Sequence, residues 1–457
     1  MAYLFRLVLV LWCIAVVETG CSTEKPNALR KPSGSRVLAT TTLLATIGES
    51  EKPVLIDMPT GAALHTAPTT QLEFIFSELG GGVAYVVQKS GMSHVVHNGN
   101  VGRPYKTIGM VALSPDGKRI AYGALVDGKW RMVVDGKEGA PFNTVKSPLF
   151  SPDGSHVAYQ AMSGDKWYLV MDATPNAGTD KRYLDHKFSG DSSRIAYIDD
   201  ADAKNRGRLV VSDLKFTKQT IVATGVTSML PNADKLKIAA VTARDNRKMV
   251  IDFSFDRPES AQKGQMYDTV QTVAFGPDGA SLAYIATRAG KPLMVLNGRE
   301  LSLPDGVMAG LPVIHPDRKT VASLMFSNGA AFMQELPNGN KENAFESADS
   351  LVYSKDGRSH AYAAQKGESW FIVVNGKEGP IFDRVVTPKF SPDGKFLVYR
   401  ARKAGRRFVV AADTSGKTIK TFPEYEQVFD VRFTADGKSV AYGVKDGQKL
   451  IWKVEAL

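Results

Sequence analysis

Cysteine is nearly absent. The 457 residues hold two, Cys13 and Cys21, both close to the N-terminus. Past residue 21 neither disulfides nor a thiolate metal site can support the chain. No stretch of useful length shows the apolar spacing of an amphipathic helix, so there is no helix for a Gly-rich phosphate loop to open. The pentapeptide G-x-S-x-G does not occur, which argues against a hydrolase domain with a nucleophile elbow. Histidine is scarce. His65, His156, His186, His315 and His360 are scattered, and His94 and His97, three apart on a strand, point to opposite faces. The expectation is no catalytic set, no cofactor and no metal.

What the chain does have is a repeat. SPDGKRIAY begins at Ser114, SPDGSHVAY at Ser151, SGDSSRIAY at Ser189, GPDGASLAY at Gly276 and HPDRKTVAS at His315. SKDGRSHAY follows at Ser354, SPDGKFLVY at Ser391 and TADGKSVAY at Thr434, with worn copies at Ser77 and Pro231. Pro presets φ, Asp bonds its own backbone and Gly accepts φ > 0, so each copy is a tight turn between two strands. A third strand follows at a regular offset, as in MVVDG from Met132, LVMDA from Leu169 and IVVNG from Ile372. A looser fourth segment comes next, KEGAPFNTV from Lys137 or KEGPIFDRV from Lys377. A repeat of roughly 37 to 46 residues is the size of a four-stranded blade, which hides its apolar faces only by packing between neighbours. The repeated Asp116, Asp153, Asp278, Asp356, Asp393 and Asp436 are turn residues, because they lack the D-x-D-x-D-G spacing of a calcium loop.

The fold class expected is all-β, a β-propeller of four-stranded blades with about ten motifs. One large ring is preferred, two smaller rings are the alternative, and the decayed stretch 200–268 is the place for a seam. The motif F-S-P-D-G-x-x-V/I-A-Y resembles the TolB-like repeats of bacterial propellers, distant relatives of WD-repeat blades, over about residues 72–457. That resemblance implies the propeller fold. The family includes periplasmic scaffolds and propeller domains attached to peptidases.

Residues 4–17 are almost wholly apolar apart from Arg6 and give way to Glu-Thr-Gly-Cys-Ser at 18–22. The run is short for a membrane span and suits a signal peptide at 1–20. Gly20-Cys21 looks like the end of a lipobox with Cys21 as the lipidated residue, although Glu18 stands where Leu is usual. A Pro/Ser/Thr/Lys-rich tether at 21–36 precedes a propeller at 37–457. The last blade lacks an outer strand, so an N-terminal segment, starting at Val37 or Val54, is expected to close it.

Formal net charge is +10, which in an exported chain favours anionic neighbours and leaves nucleic acid out. Basic residues cluster at Arg402, Lys403, Arg406 and Arg407, and at Arg244, Arg247 and Lys248. These are the candidate partner-binding residues, with the loops 199–208, 242–248 and 253–268 around them. Asp199, Asp200 and Asp202 read as part of an exposed charged loop, and Trp130, Trp167 and Trp370 as inter-blade packing. The expected function is a non-enzymatic exported scaffold at the periplasm, outer membrane or cell surface, binding a protein or an anionic envelope polymer. The alternative is a propeller enzyme, such as a lyase, lactonase or glycan hydrolase, with its site at the channel mouth.

Overall fold

The computed structural model describes residues 39–57 and 71–457. The leader at 1–20, Cys21, the tether at 21–36 and His65 lie outside the described residues. Among the described residues every regular element is a strand.

Local chemistry makes each turn. Ser114 is fully buried. Its hydroxyl donates to Asp116 Oδ1 at 2.6 Å and accepts the Arg119 N–H at 3.0 Å, while Gly117 takes φ +71°. Ser189, Ser354, Ser391 and Thr434 repeat the exchange. One hydroxyl thus satisfies a carboxylate and a backbone donor that the turn would otherwise leave unpaired. No ion is needed to explain the aspartates.

Eight of the sheets carry one blade each and the seven-stranded sheet carries two, which gives ten blades among the described residues; the two-stranded pair of Ile56–Asp57 with Gln71–Leu72 belongs to none of these sheets and packs Ile56 into the blade 1–2 cluster. Blade 2 is typical, running from inner to outer strand as Ile108–Leu113, Ile120–Val126, Lys129–Val134 and Lys137–Phe142. In chain order blade 1 takes residues 53–54 and 75–101, blade 2 108–142, blade 3 144–175, blade 4 185–231, blade 5 219–263, blade 6 269–302, blade 7 308–336, blade 8 347–378 and blade 9 384–421, and the worn motifs at Ser77 and Pro231 belong to blades 1 and 5. Blade 10 takes Gln427–Phe433, Ser439–Asp446 and Lys449–Ala456 from the end of the chain and Thr40–Thr46 as its outer strand. Blade 10 then packs on blade 1: Ala45, Ile47 and Leu450 share an apolar cluster with Phe74, Val83 and Tyr85, and Phe429 lies 4.6 Å from Phe76. Each of the other nine blade junctions has its own apolar cluster. The blades therefore follow one another round a single closed ring, wider than the usual 4–8 blades.

The motif tyrosines tie these junctions together. Tyr122, Tyr159, Tyr284, Tyr362, Tyr399 and Tyr442 each meet, edge to face, an aromatic ring from the end of the preceding blade, with centroids 6.0 to 6.4 Å apart. Such pairs contribute about 0.5–1.5 kcal/mol each beyond their buried area.

Two expectations need correcting. No seam exists at 200–268: Gln219–Pro231 is one 13-residue strand that serves blade 4 as its outer strand and blade 5 as its inner one. Gly225, at φ +71°, takes up the bend that a loop makes elsewhere. Nor is 253–268 an irregular loop, because Arg257–Lys263 is the outer strand of blade 5.

Most inner strands carry a bulge at the same level. It falls between Lys146 and Leu149, Gln271 and Ala274, Asp349 and Val352, and Val386 and Lys389. Ser147, Thr272, Ser350 and Thr387 sit there at positive φ. A bulge bends and twists its strand, and here it re-aims the side chains along the wall of the channel.

Candidate functional site

Successive turns of a meander alternate between its two ends, which assigns the loops to faces. The motif turns of neighbouring blades touch: Gly82 abuts Gly117, Gly190 abuts Asp234, Gly357 abuts His315 and Gly437 abuts Pro392. One face of the ring is therefore a circle of Asp turns, and the hairpins joining second to third strands form the other. Every such hairpin except that of blade 7 holds at least one Lys or Arg.

Both predicted basic clusters lie on this hairpin face. In blade 5, Arg244 stands opposite Arg247 and Ala243 opposite Lys248. In blade 9, Lys403 stands opposite Arg406 and Arg402 opposite Arg407. The two-residue turn between them, Ala404-Gly405, has both residues at positive φ, the hairpin geometry that matches strand twist. Arg244, Arg247, Arg402 and Lys403 are exposed. Arg406 and Arg407 donate to the Glu424 and Glu426 carbonyls, the latter at 2.5 Å. The clusters are four blades apart, so the ring presents them as two separate patches.

Strand pairing adds residues that spacing along the chain does not reveal. Arg384, on the inner strand of blade 9, stands directly opposite Arg402. Its guanidinium lies 3.5 Å from the Trp370 ring centroid and 3.0 Å from Asp349 Oδ2. Arg400, one turn of the pleat from Arg402, donates to Thr387 Oγ1 and the Val428 carbonyl, and burial presses its guanidinium below the usual arginine value.

The loop at 199–208 departs from its reading as an exposed charged loop at Asp199. Asp199 is 5% exposed and takes a two-pronged ion pair from Arg208, both bonds 3.0 Å. Burial raises its carboxyl despite that partner. Gly207 makes the fit, because a Cβ there would lie 2.4 Å from the Asp199 carbonyl oxygen. Asp202 pairs with Arg206 at 2.7 Å and Asp200 with Lys181 at 3.6 Å.

Two further features of the inner strands escaped the sequence reading. The first is an apolar cavity of about 690 Å³ along the inner strands of blades 5 to 8, lined by Leu230, Phe275, Leu311, Phe326 and Leu351. Its polar neighbours are committed elsewhere: Asn232 to Gly279, Leu236 and Lys237, and Asp349 to Arg384 and Ser350. The second is Asp185-His186-Lys187 on the inner strand of blade 4. Lys187 pairs with Asp185 at 2.8 Å, and its side chain is 7% exposed. His186 Nδ1 lies 3.3 Å from Gln160 Nε2, and His186 Nε2 and Gln160 Oε1 have no partner. Burial raises the Asp185 carboxyl and drives the His186 imidazole down to about 3. No group of three His, Cys, Asp or Glu positioned for a metal occurs among the described residues.

No family model and no curated protein matches the chain. Solved structures to which it is similar include a eukaryotic initiation factor, 14% identical, covering 76% of this chain and 96% of that one at a TM-score of 0.44. The β-propeller domain of the Trilobed protease from Pyrococcus furiosus, with an open velcro topology, is 12% identical over 60% of this chain and 95% of its own, at 0.35. Dihydro-heme d1 dehydrogenase NirN in complex with DHE is 15% identical over 65% and 71%, at 0.36. At such scores the assignment of this chain as a β-propeller rests on its own strand pairing and ring closure.

Proposed function

We propose that this chain is an exported, non-enzymatic propeller of TolB-like type whose basic hairpin face binds a protein or an anionic envelope polymer. The observation that carries the reading is the placement of Arg402, Lys403, Arg406 and Arg407 on a single exposed hairpin, with Arg244, Arg247 and Lys248 on another of the same face. Rigid scaffolds concentrate binding in such loops, and a field of one sign steers an oppositely charged partner. The apolar leader at 1–20 and Cys21 support export to the periplasm or the outer surface with a lipid anchor, and the repeat motif supports the TolB-like kinship. The test is capture from an envelope extract with the full chain as bait. Reversing Arg402, Lys403, Arg406 and Arg407 to Glu abolishes salt-sensitive capture on this reading, and undiminished capture removes the blade 9 hairpin from the site.

The second reading, a lyase, lactonase or glycan hydrolase, draws on the 690 Å³ cavity, which falls in the size range of ligand sites. A substrate panel with a Leu311→Trp control tests it, since turnover that the filled cavity abolishes favours the enzyme.

A further inference from the structure

Three arginines stand in a row across blade 9. Arg384 is opposite Arg402, and Arg402 is opposite Arg407. Residues directly opposite in a sheet have Cβ atoms roughly 5 Å apart, and like charges so placed repel. Side chains alternate along a strand, so Arg400 shares the face of Arg402. Arg400, Arg402 and Arg407 thus share one patch on the face of blade 9 toward blade 10, where Arg400 and Arg407 bond the Val428 and Glu426 carbonyls, while Arg384 at its edge turns its guanidinium back to Trp370 and Asp349 of blade 8. Asp349 neutralises Arg384. Among the described residues no carboxylate lies within 4 Å of the charged ends of Arg400, Arg402 and Arg407. Arg400 and Arg407 have hydrogen-bonding capacity to spare, because they make three side-chain bonds between them out of five N–H groups each.

The arginines surround a space. A cavity of about 130 Å³ is lined by Arg384, Val386, Arg400, Arg402, Arg407 and Val428, with no acidic residue in its wall. That volume is roughly that of four water molecules, room enough for a small oxyanion. A single carboxylate is satisfied by one guanidinium fork. Three guanidinium groups without a directly paired carboxylate suit a dianion with more than two acceptor oxygens, which is the geometry that Arg recognises in phosphate. The pocket floor is partly buried through Arg400, so the attraction is less screened than at an open surface.

We propose that this pocket is a phosphoryl-binding site, in which Arg400, Arg402 and Arg407 close on the oxygens of a phosphate ester and Arg384, held by Trp370 and Asp349, flanks them. The proposal deepens the reading of the hairpin face as a surface for an anionic partner and rests on it only for the biological source of the ligand.

Titration calorimetry of the full chain at low ionic strength tests it, first with inorganic phosphate, then with glycerol 3-phosphate, then with phosphatidylcholine vesicles containing phosphatidic acid. Inorganic phosphate is expected to bind one to one, and Arg402→Gln to weaken it roughly tenfold or more, whereas Arg358→Gln, on the opposite, Asp-turn face of blade 8, leaves it unchanged. Arg402→Gln relieves repulsion in the empty pocket, so it melts above the parent without phosphate and below it when phosphate saturates. Glycerol 3-phosphate binding as tightly as the vesicles assigns a soluble ester, and tighter binding to the vesicles assigns a lipid headgroup; either supports the site. Silence from all three probes, equal loss in the Arg358→Gln variant, or acetate matching phosphate overturns it. Envelope capture that survives while phosphate fails removes the pocket alone, and phosphate binding without a captured partner removes the scaffold reading alone.

Discussion

Acid should loosen the junction of blades 3 and 4 through one side chain. His186 is 3% exposed and faces Gln160, the Ser147 and Ala158 carbonyls, Lys146 and Lys187. Burial holds its imidazole neutral down to about pH 3, against 6.5 in an open chain. The unfolded state then binds a proton that the fold refuses. The stability this group supplies is complete above pH 6.5 and is lost as pH falls from there toward 3. At pH 5 the unfolded state gains a factor of roughly 30, which is about 2 kcal/mol, and at pH 4 about 3 kcal/mol. Asp185 works in the opposite sense. Its raised carboxyl takes up a proton in the fold before the open chain does, so the parent curve is a sum of the two. The difference between parent and His186→Gln isolates the histidine. Urea unfolding at pH 7.5, 6.5, 5.5 and 5.0 should show the parent losing about 2 kcal/mol more than the variant across that range. Parallel curves, or an imidazole resonance of His186 titrating near 6.5 in the native protein, would refute the reasoning.

Three other perturbations probe the ring. Ile47, 5% exposed and bonded from its N–H to the Gln448 carbonyl at 2.8 Å, belongs to the closure of blade 10 on blade 1; Ile47→Asp buries an unpaired carboxylate at a cost of several kcal/mol. Hydrogen exchange should then accelerate in Thr40–Thr46, Lys449–Ala456 and blade 1 and stay slow in blade 5, and uniform acceleration contradicts closure at that junction. A Cβ at Gly443 would lie 2.8 Å from Phe76 Cδ1, so Gly443→Val costs about 1–3 kcal/mol, and Phe76→Ala in the same chain recovers part of it in calorimetry. Ser391→Ala removes the hydroxyl that bonds Asp393 at 2.7 Å and the Phe396 N–H at 2.9 Å, which should lower stability by about 1–3 kcal/mol, and an unchanged denaturation midpoint would show that water replaces the hydroxyl.

The fold was legible because each blade carries its instructions locally. Asp and Gly of the turn, small Ala and bulky Tyr recur within nine residues, and the worn copies at Ser77 and Pro231 keep enough of them to make blades. The shared strand of blades 4 and 5 was not legible, since decay of the motif there looks the same whether the chain loops or runs straight through Gly225. The basic hairpins were half legible for a reason that lies in register. A two-residue turn at Ala404-Gly405 fixes Arg402 opposite Arg407, and that arithmetic can be done on the sequence alone. Arg384 lies 18 positions before Arg402, beyond the motif turn and beyond a bulge at Thr387 with φ 54°. One residue more or less in that bulge would turn the Arg384 side chain to the opposite face of the blade. The same holds for His186, whose partners Gln160 and Ser147 come from the preceding blade, and for Asp199, which Gly207 allows Arg208 to cover. In a ring of meanders the chemistry is assembled across strands and across blades, so its residues become neighbours only once bulges and closure have set the register.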